Sequence, residues 1–267
     1  MKLIRGRSFS MGSTESEIRA AMTTYGIKHR EVLEAEVPRH KVNLESFYIN
    51  VHEVTNEEFK RFTDANPEWR KSNLPPALHN GQYLHDWTGN GYPEGKARFP
   101  VIYVTWHAAE AFCEWRGERL PTEAEWEFAA RGGLEDAEFP WGDQLPGSGR
   151  ANYSAEGHGQ AVQVASYPAN GYGLFDMAGN VWEYCLDEWQ PDFYRHSPRT
   201  APLAGNRPAT REEFLKVAGR RVIRGGSWGG SPVNLRVTYR DSHPADGAAN
   251  HVGFRCACNA SGQPDTH

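Results

Sequence analysis

Long apolar runs are missing from this sequence: no window approaches the roughly 18 consecutive apolar residues of a membrane span. The N-terminal stretch "MKLIRGRSFSMGSTESEIRA" also lacks the apolar core of an export signal. The expectation is therefore a cytoplasmic protein with no membrane partner, or a secreted or periplasmic one if a leader has been trimmed. An excess of positive charge is missing too. With 29 Lys+Arg against 34 Asp+Glu, and a net charge of -5, no global field draws the chain to nucleic acid or to an anionic membrane. Cysteine is scarce: Cys113, Cys185, Cys256 and Cys258 are too few for a disulfide scaffold and form no C-x-x-C zinc pair. At most one disulfide is expected. There is no EF-hand, no H-E-x-x-H pair and no internal repeat. The "GGSWG" turn is not the G-x-S-x-G elbow of a hydrolase, because its strand–turn–helix context is absent.

What is present is a wealth of rings in a polar frame. Trp (9), Tyr (11) and Phe (12) accompany a hydrophobic fraction of only 39%, so the core must lean on aromatic side chains rather than on helical leucine faces. Three helices are predicted. "TNEEFKRFTDA" opens on a capping box of Thr55 and Glu58, with Phe59 and Phe62 on one face. "TWHAAEAFCEWRG" spaces Ala108, Ala111, Phe112 and Trp115 at helical intervals and stops at Gly117. "LPTEAEWEFAARGG" repeats the box with Thr122 and Glu125 and turns Trp126 and Ala129 inward.

Strands are expected within 40–54, 100–104, 220–226, 234–240 and 251–259. Between 133 and 220 there is little periodicity, but many rings. Such a length is neither an ordinary connection nor a disordered one, and bound cations would organise it. The chain divides into one domain, 1–258, and a flexible tail, 259–267.

The segment "NGYGLFDMAGNVWEY" places Asp176 and Glu183 around Gly179 and Asn180, a set of oxygens that suits calcium. "ANYSAEGHG" offers Asn152 and Glu156 near two glycines as a second such group. On spacing alone, both also fit Asx-turns and helix caps. His79, His85, His107 and His243 are candidates for a transition metal, each equally readable as an ordinary hydrogen-bonded histidine. Cys113 and Cys256 look buried rather than nucleophilic.

In order from about residue 4 to 257 the sequence shows "MGS", "HEVTNEEF", "PVIYVTWHAAEAFCEWRGERLPTEAEWEFAARGG", "FPWG", "NGYGLFDMAGNVWEY", "RVIRGGSW" and "HVGFRCA". Together these resemble the formylglycine-generating enzyme (sulfatase-modifying factor) family. The resemblance implies an α+β fold, a variant of the C-type lectin-like fold with little regular secondary structure and bound calcium. It implies one calcium at the side chains of Asn152 and Glu156 with the carbonyls of Tyr153 and His158. A second is implied at the side chains of Asp176 and Glu183 with the carbonyls of Gly179 and Val181. It also brings Cys113 close to Cys256, as thiols if the protein is cytoplasmic.

The family's activity, oxidation of a substrate cysteine, uses copper on two cysteines that follow "GGSW". Here "GGSWGGSPVNLRVTYR" has no cysteine, and a copper(I) thiolate site needs sulfur. Formylglycine generation and bound copper are therefore not expected. The expectation is a binding module for a peptide, protein or small-molecule ligand, using a groove formed by Trp106, Ser227, Trp228, Arg240 and His243. The alternative is a non-classical metal-dependent oxidoreductase or oxygenase of the same family, resembling the sulfoxide synthases or a chromophore maturase and holding iron.

Overall fold

The computed structural model describes residues 1–260. Its central element is a sheet of four strands in the order β7-β6-β5-β8, where β5 is Trp182–Glu188, β6 Arg220–Arg224, β7 Asp241–Pro244 and β8 Val252–Gly253. Pairing is antiparallel except between β5 and β8, which run parallel. A three-stranded sheet joins β1 (Lys2–Ile4), β4 (Phe47–Ile49) and β9 (Ala257–Asn259), and a hairpin-like pair joins β2 (Ser8–Met11) to β3 (His40–Asn43).

Two helices sandwich the central sheet. Side chains alternate along a strand, so Trp182, Tyr184 and Ile223 turn to one core with α3 (Trp106–Trp115), while Cys185 and Val222 turn to the other with α4 (Glu123–Ala130). Thr105 caps α3 by accepting from Ala108 N–H, and Thr122 with Glu125 forms the predicted box at α4. The predicted helix at 55 is α2 (Asn56–Ala65), with its Thr55–Glu58 box in place. Phe59, Phe62 and Phe112 stack together at its face, whereas Trp115, expected in the core, lies 44% exposed at the end of α3.

α4 is buried on every side, which forces its acids into ion pairs. Glu123 accepts from Arg224 and Arg240 at 2.7 Å, and Glu127 from Arg224 and Arg131 at 2.8 Å, all three arginines being buried. Burial alone pushes both carboxyls up, but the neighbouring guanidiniums outweigh it and hold them below their usual range.

Several expectations are corrected. Residues 100–104 and 234–240 are not strands: Tyr103 takes a left-handed φ of 57°, and Pro232–Leu235 form a 3-10 turn capped by Ser231 and Asn234. An unpredicted helix α1 (Glu15–Tyr25) starts on a Thr14–Glu17 capping box, and a short α5 (Arg211–Leu215) follows later. The domain boundary at 258 falls early, because Asn259 closes β9 and Ala260 N–H donates to Ser46 O; the remainder of the predicted tail, 261–267, lies outside the described residues. Cys113 of α3 and Cys256 are joined in a disulfide, beyond the closeness that was expected. Among the described residues no helix is long and apolar enough to cross a membrane.

Candidate functional site

β6 ends in a tight turn that its glycines make possible. Gly225 and Gly226 adopt φ of 94° and 77°, and a Cβ on Gly226 would lie 3.0 Å from the Asn234 carbonyl oxygen, so the chain folds back against the turn that follows. Ser227 is buried, and its carbonyl accepts from Gly230 N–H at 2.8 Å. Trp228 is half-exposed and pinned at both ends: its N–H donates to Asn180 O at 2.9 Å, and its Nε1–H to Asn250 O at 3.1 Å. Residues 229–240, "GGSPVNLRVTYR", contain no cysteine, and Leu235 among them is fully buried. The two free cysteines lie elsewhere, Cys185 buried in β5 and Cys258 in β9.

β7 carries His243, and the loop from β7 to β8, whose Asn250 carbonyl holds Trp228, carries His251. His243 lies opposite Arg221 in the β6–β7 ladder, and its Nδ1 is 2.7 Å from the Tyr184 hydroxyl. His251, next to the Asn250 that holds Trp228, has its Nδ1 3.0 Å from the Asn250 side-chain oxygen. The two ring centres are 6.3 Å apart and nearly perpendicular. Burial, then His251 and Arg220, hold His243 down to about 4, and burial lowers His251, so both rings are neutral near pH 7. Asp241, on the same strand face as His243, is pushed up by burial. In the sequence Asp241 and His251 stand only among the polar residues suited to contacts between "GGSW" and "GFR", and their nearness to His243 is not legible there.

Of the expected groove residues, Ser227 and Trp228 adjoin in the turn after β6, His243 connects to Trp228 only through His251 and Asn250, and the other two are buried in the fold. Trp106 is fully buried under the sheet: its Nε1–H donates to Cys185 O at 2.9 Å, and the Arg221 guanidinium covers its ring at 4.4 Å. It is core, not a groove wall. Arg240 is equally buried, clamped on Glu123 and stacked 4.0 Å from the Tyr194 ring. Arg240 borders a different cavity of about 650 Å³ floored by Trp189 and Tyr239, so its charge is already neutralised by the fold. The other histidines scatter: His107 is buried on α3, and the side chains of His79 and His85 make local hydrogen bonds to Gly81 N–H and Asp86.

The oxygen-rich loops meet at Asn180. Its N–H donates to Asn152 O at 2.8 Å, its side-chain oxygen accepts from Val162 N–H and Asn152 Nδ2, and its Nδ2 donates to Glu53 Oε1 at 2.9 Å. Gly179 is required here, since at φ 80° a Cβ would sit 2.3 Å from Asn152 O. The two expected oxygen groups are therefore neighbours. Asn152 is buried with its side-chain oxygen lacking a hydrogen-bond partner, an orphaned acceptor that fits a cation.

Tyr153 is buried, Glu156 lies in a 3-10 turn, and His158 is exposed with its Nε2 3.2 Å from the Tyr167 hydroxyl. Asp176, at φ 56°, accepts from Ala165 N–H, while Val181 is buried. Glu183 is differently engaged: both of its oxygens accept from Arg255, and Trp126 Nε1–H donates to it at 2.7 Å. Glu53, missed in the sequence, is buried with Oε2 unpartnered; burial, then the Asp176 carboxylate, push it well above the usual range. Among the described residues no three His, Cys, Asp or Glu side chains are grouped so as to hold an ion by themselves.

A four-stranded sheet between α3 and α4, with loops of irregular backbone carrying the candidate site, defines an α+β domain of the C-type lectin-like, formylglycine-generating-enzyme fold. The chain belongs to the sulfatase-modifying factor enzyme 1-like domain family, whose model matches residues 1–260. It is 35% identical over 269 residues to the "Formylglycine-generating enzyme" of Streptomyces coelicolor, covering 85% of this chain and 82% of that protein. The match to the mouse "Inactive C-alpha-formylglycine-generating enzyme 2" is 35% over 274 residues, covering 86% and 80%.

The chain also aligns, at 37% identity over 261 residues and 97% of its length, with the "Serine/threonine-protein kinase pkn1" of Chlamydia pneumoniae, of which it spans only 38%. Among solved structures, PvdO from Pseudomonas aeruginosa superimposes with a TM-score of 0.70 at 22% identity, covering 96% of this chain and 93% of that one. Treponema denticola variable protein 1 gives 0.67 at 23%, covering 97% and 94%. These two likenesses concern the fold.

Proposed function

We propose that this chain is a calcium-stabilised binding module that holds a peptide segment of a protein partner on the face formed by Trp228, Asn250, His243 and His251. The observation that carries the reading is the turn after β6. It is fixed by Asn180 and Asn250 and presents a half-exposed indole, yet residues 229–240 contain no sulfur to bind copper. An indole held rigid at little cost in entropy is the kind of anchor that dominates protein recognition. One relative agrees with a scaffold used without its oxidative chemistry, being named inactive.

Calcium would take the orphaned Asn152 oxygen together with nearby carbonyls, and Asp176 with Glu53, where buried acid exceeds the single Arg255 charge. Glu183 would contribute less, its lone pairs being shared with Arg255 and Trp126. The Cys113–Cys256 disulfide favours a secreted or periplasmic location over the cytoplasmic one. The second reading, a metal-dependent oxidoreductase or oxygenase, draws on the paired imidazoles of His243 and His251.

Panning a phage-displayed random peptide library on the full chain tests the proposal. Peptides enriched on the protein and lost on Trp228→Ala or on Ser227→Ala/His243→Ala support it. Enrichment indifferent to both variants would remove this face from consideration.

A further inference from the structure

The cavity that Arg240 borders, of about 650 Å³, falls within the range of about 300–1,000 Å³ that small ligands occupy. Its floor is aromatic, Trp189 and Tyr239, and its walls bring in the 3-10 turns at Glu31 and Glu34, Asp192, and Asp241 at the start of β7. Arg195 and Arg240 line it with these acids. Arg240 is already committed: Nε and Nη2 donate to Glu123, and Nη1 to Ala35 O at 2.7 Å. Arg195 comes only within 3.7 Å of Glu34. Asp241 uses one oxygen on Ser242 N–H at 2.7 Å, and Asp192 makes no capping hydrogen bond, so neither carboxylate is paired with a cation among the described residues. The lining therefore carries unbalanced negative charge. Tyr239 responds to it: burial, then the carboxylates of Asp241 and Glu36, push its phenol up to about 12.

Two donors in the floor are unspent. Tyr239 is only 6% exposed, yet its hydroxyl, which neighbours the Asn234 amide, donates to no acceptor among the described residues. The Trp189 indole N–H has no acceptor among them either, and its ring already holds the Arg240 guanidinium at 5.1 Å. Aromatic rings attract cations, whereas polar hydrogens shielded from water call for an acceptor. A bare organic cation would satisfy the acids and leave both donors unmet. A basic residue within a peptide brings a cation for the carboxylates and backbone carbonyls for the donors. We infer that this cavity seats an arginine or lysine side chain of a bound peptide, its charge facing Asp192 and Asp241 and its backbone lying against Tyr239 and Trp189.

This rests on the reading of the chain as a peptide-binding module, and it extends that surface along β7. Asp241 is the link. It stands two residues before His243 on one strand face, and its charge partly offsets the lowering of His251 by burial. Arginine suits the cavity better than lysine, since a guanidinium both pairs with carboxylates and stacks on rings.

The test is NMR titration of the full chain with N-acetylarginine methylamide, followed on the Trp189 indole N–H signal, assigned as the one missing in Trp189→Phe. A saturable shift is expected. The citrulline counterpart, of the same shape without the charge, should bind about 10- to 100-fold more weakly, the worth of a hydrogen bond to a charged group. Asp192→Asn/Asp241→Asn should weaken the arginine compound by a similar factor, and asparagine keeps an oxygen for Ser242 N–H. Glu68→Gln/Glu114→Gln removes the same charge from exposed positions that do not line the cavity, and should change nothing.

Equal binding of the two compounds, or equal losses in the two double variants, overturns the cavity, and the comparison of compounds needs no variant to fold. Peptides selected by panning should carry a basic residue and be lost on Asp192→Asn/Asp241→Asn; peptides indifferent to that variant, with the arginine compound still bound, would make the occupant a free cation and overturn the inference. Enrichment that depends on Trp228, without basic residues and without binding of the arginine compound, rejects the cavity alone. Arginine-selective binding with no enrichment that depends on Trp228 rejects the Trp228 face alone.

Discussion

Replacing Glu110 by glutamine should change how stability responds to pH. Glu110 lies on α3, fully buried; Oε2 accepts from Leu120 N–H at 2.7 Å, Oε1 has no hydrogen-bond partner, and Arg207 approaches only to 3.7 Å. Burial is the largest influence, and it pushes the carboxyl up to about 7 from 4.5. A folded-state value above the unfolded one means that the native protein holds the proton longer. Its contribution to stability is complete below pH 4.5 and is lost as pH rises through about 7.

At about 1.4 kcal/mol per unit, these two values give a loss of about 2.5 kcal/mol between pH 5 and pH 8. Glu110→Gln cannot lose that proton. Whatever constant cost the amide brings, the variant should therefore gain about 2.5 kcal/mol relative to wild type on going from pH 5 to pH 8. Urea unfolding of both proteins at the two pH values measures the difference directly. A variant-to-wild-type gap that is the same at pH 5 and pH 8, within about 0.5 kcal/mol, would show that Glu110 is ionised in the native state throughout and refute the reasoning.

Arg240→Ala should act as a folding mutation: leaving Glu123 half-paired in the core costs about 3–5 kcal/mol. The melting temperature should drop by about 6–20 °C, and a variant of wild-type stability with impaired ligand binding would return Arg240 to the groove. Gly179→Ala forces a Cβ against Asn152 O from a left-handed backbone, so it should cost more than about 1 kcal/mol by urea unfolding. A neutral result would mean that the two oxygen-rich loops are not in contact. Calcium chelation should lower the melting temperature of the wild type, because an ion bound only by the native state stabilises it, and the loss should shrink in Asn152→Ala; an unmoved melting curve counts against calcium at Asn152 and Asp176.

Parts of this fold were legible because their signals are local. The capping boxes at Thr55 and Thr122 each pair a hydroxyl with a glutamate three residues on, and both helices start where those pairs place them. The Thr14–Glu17 box has the same grammar, but α1 buries only Ile18 and Ala21, too thin a stripe to register as a helical face. β5 was missed for the opposite reason. Residues 182–187 are buried on both faces of the sheet, so the period-two alternation that marks a strand is absent. "NLRVTYR" does alternate, yet its backbone leaves the sheet, with Val237 N–H donating to Glu138 O and the Arg236 guanidinium pairing with Glu36.

The candidate site divides in the same way. The turn at Gly225–Trp228 and the oxygen-rich loops could be read from short motifs. Glu53 acquires its role only through contact with Asn180, 127 positions away. Trp106 and Arg240 were misplaced because an aromatic or a cation near a glycine turn looks the same in sequence, whether it faces solvent or a buried partner. His251 could be read as a polar contact residue, but its pairing with His243 becomes visible only when the loop between β7 and β8 closes onto β7.

The central claim is that the family's scaffold is used here for recognition, without oxidation of a substrate cysteine. Oxygen uptake and peptide mass, followed while the purified protein is incubated with a cysteine-containing peptide, copper and a thiol reductant, test it most directly. The account predicts no protein-dependent oxygen consumption and an unchanged cysteine; conversion of that cysteine to formylglycine would contradict it.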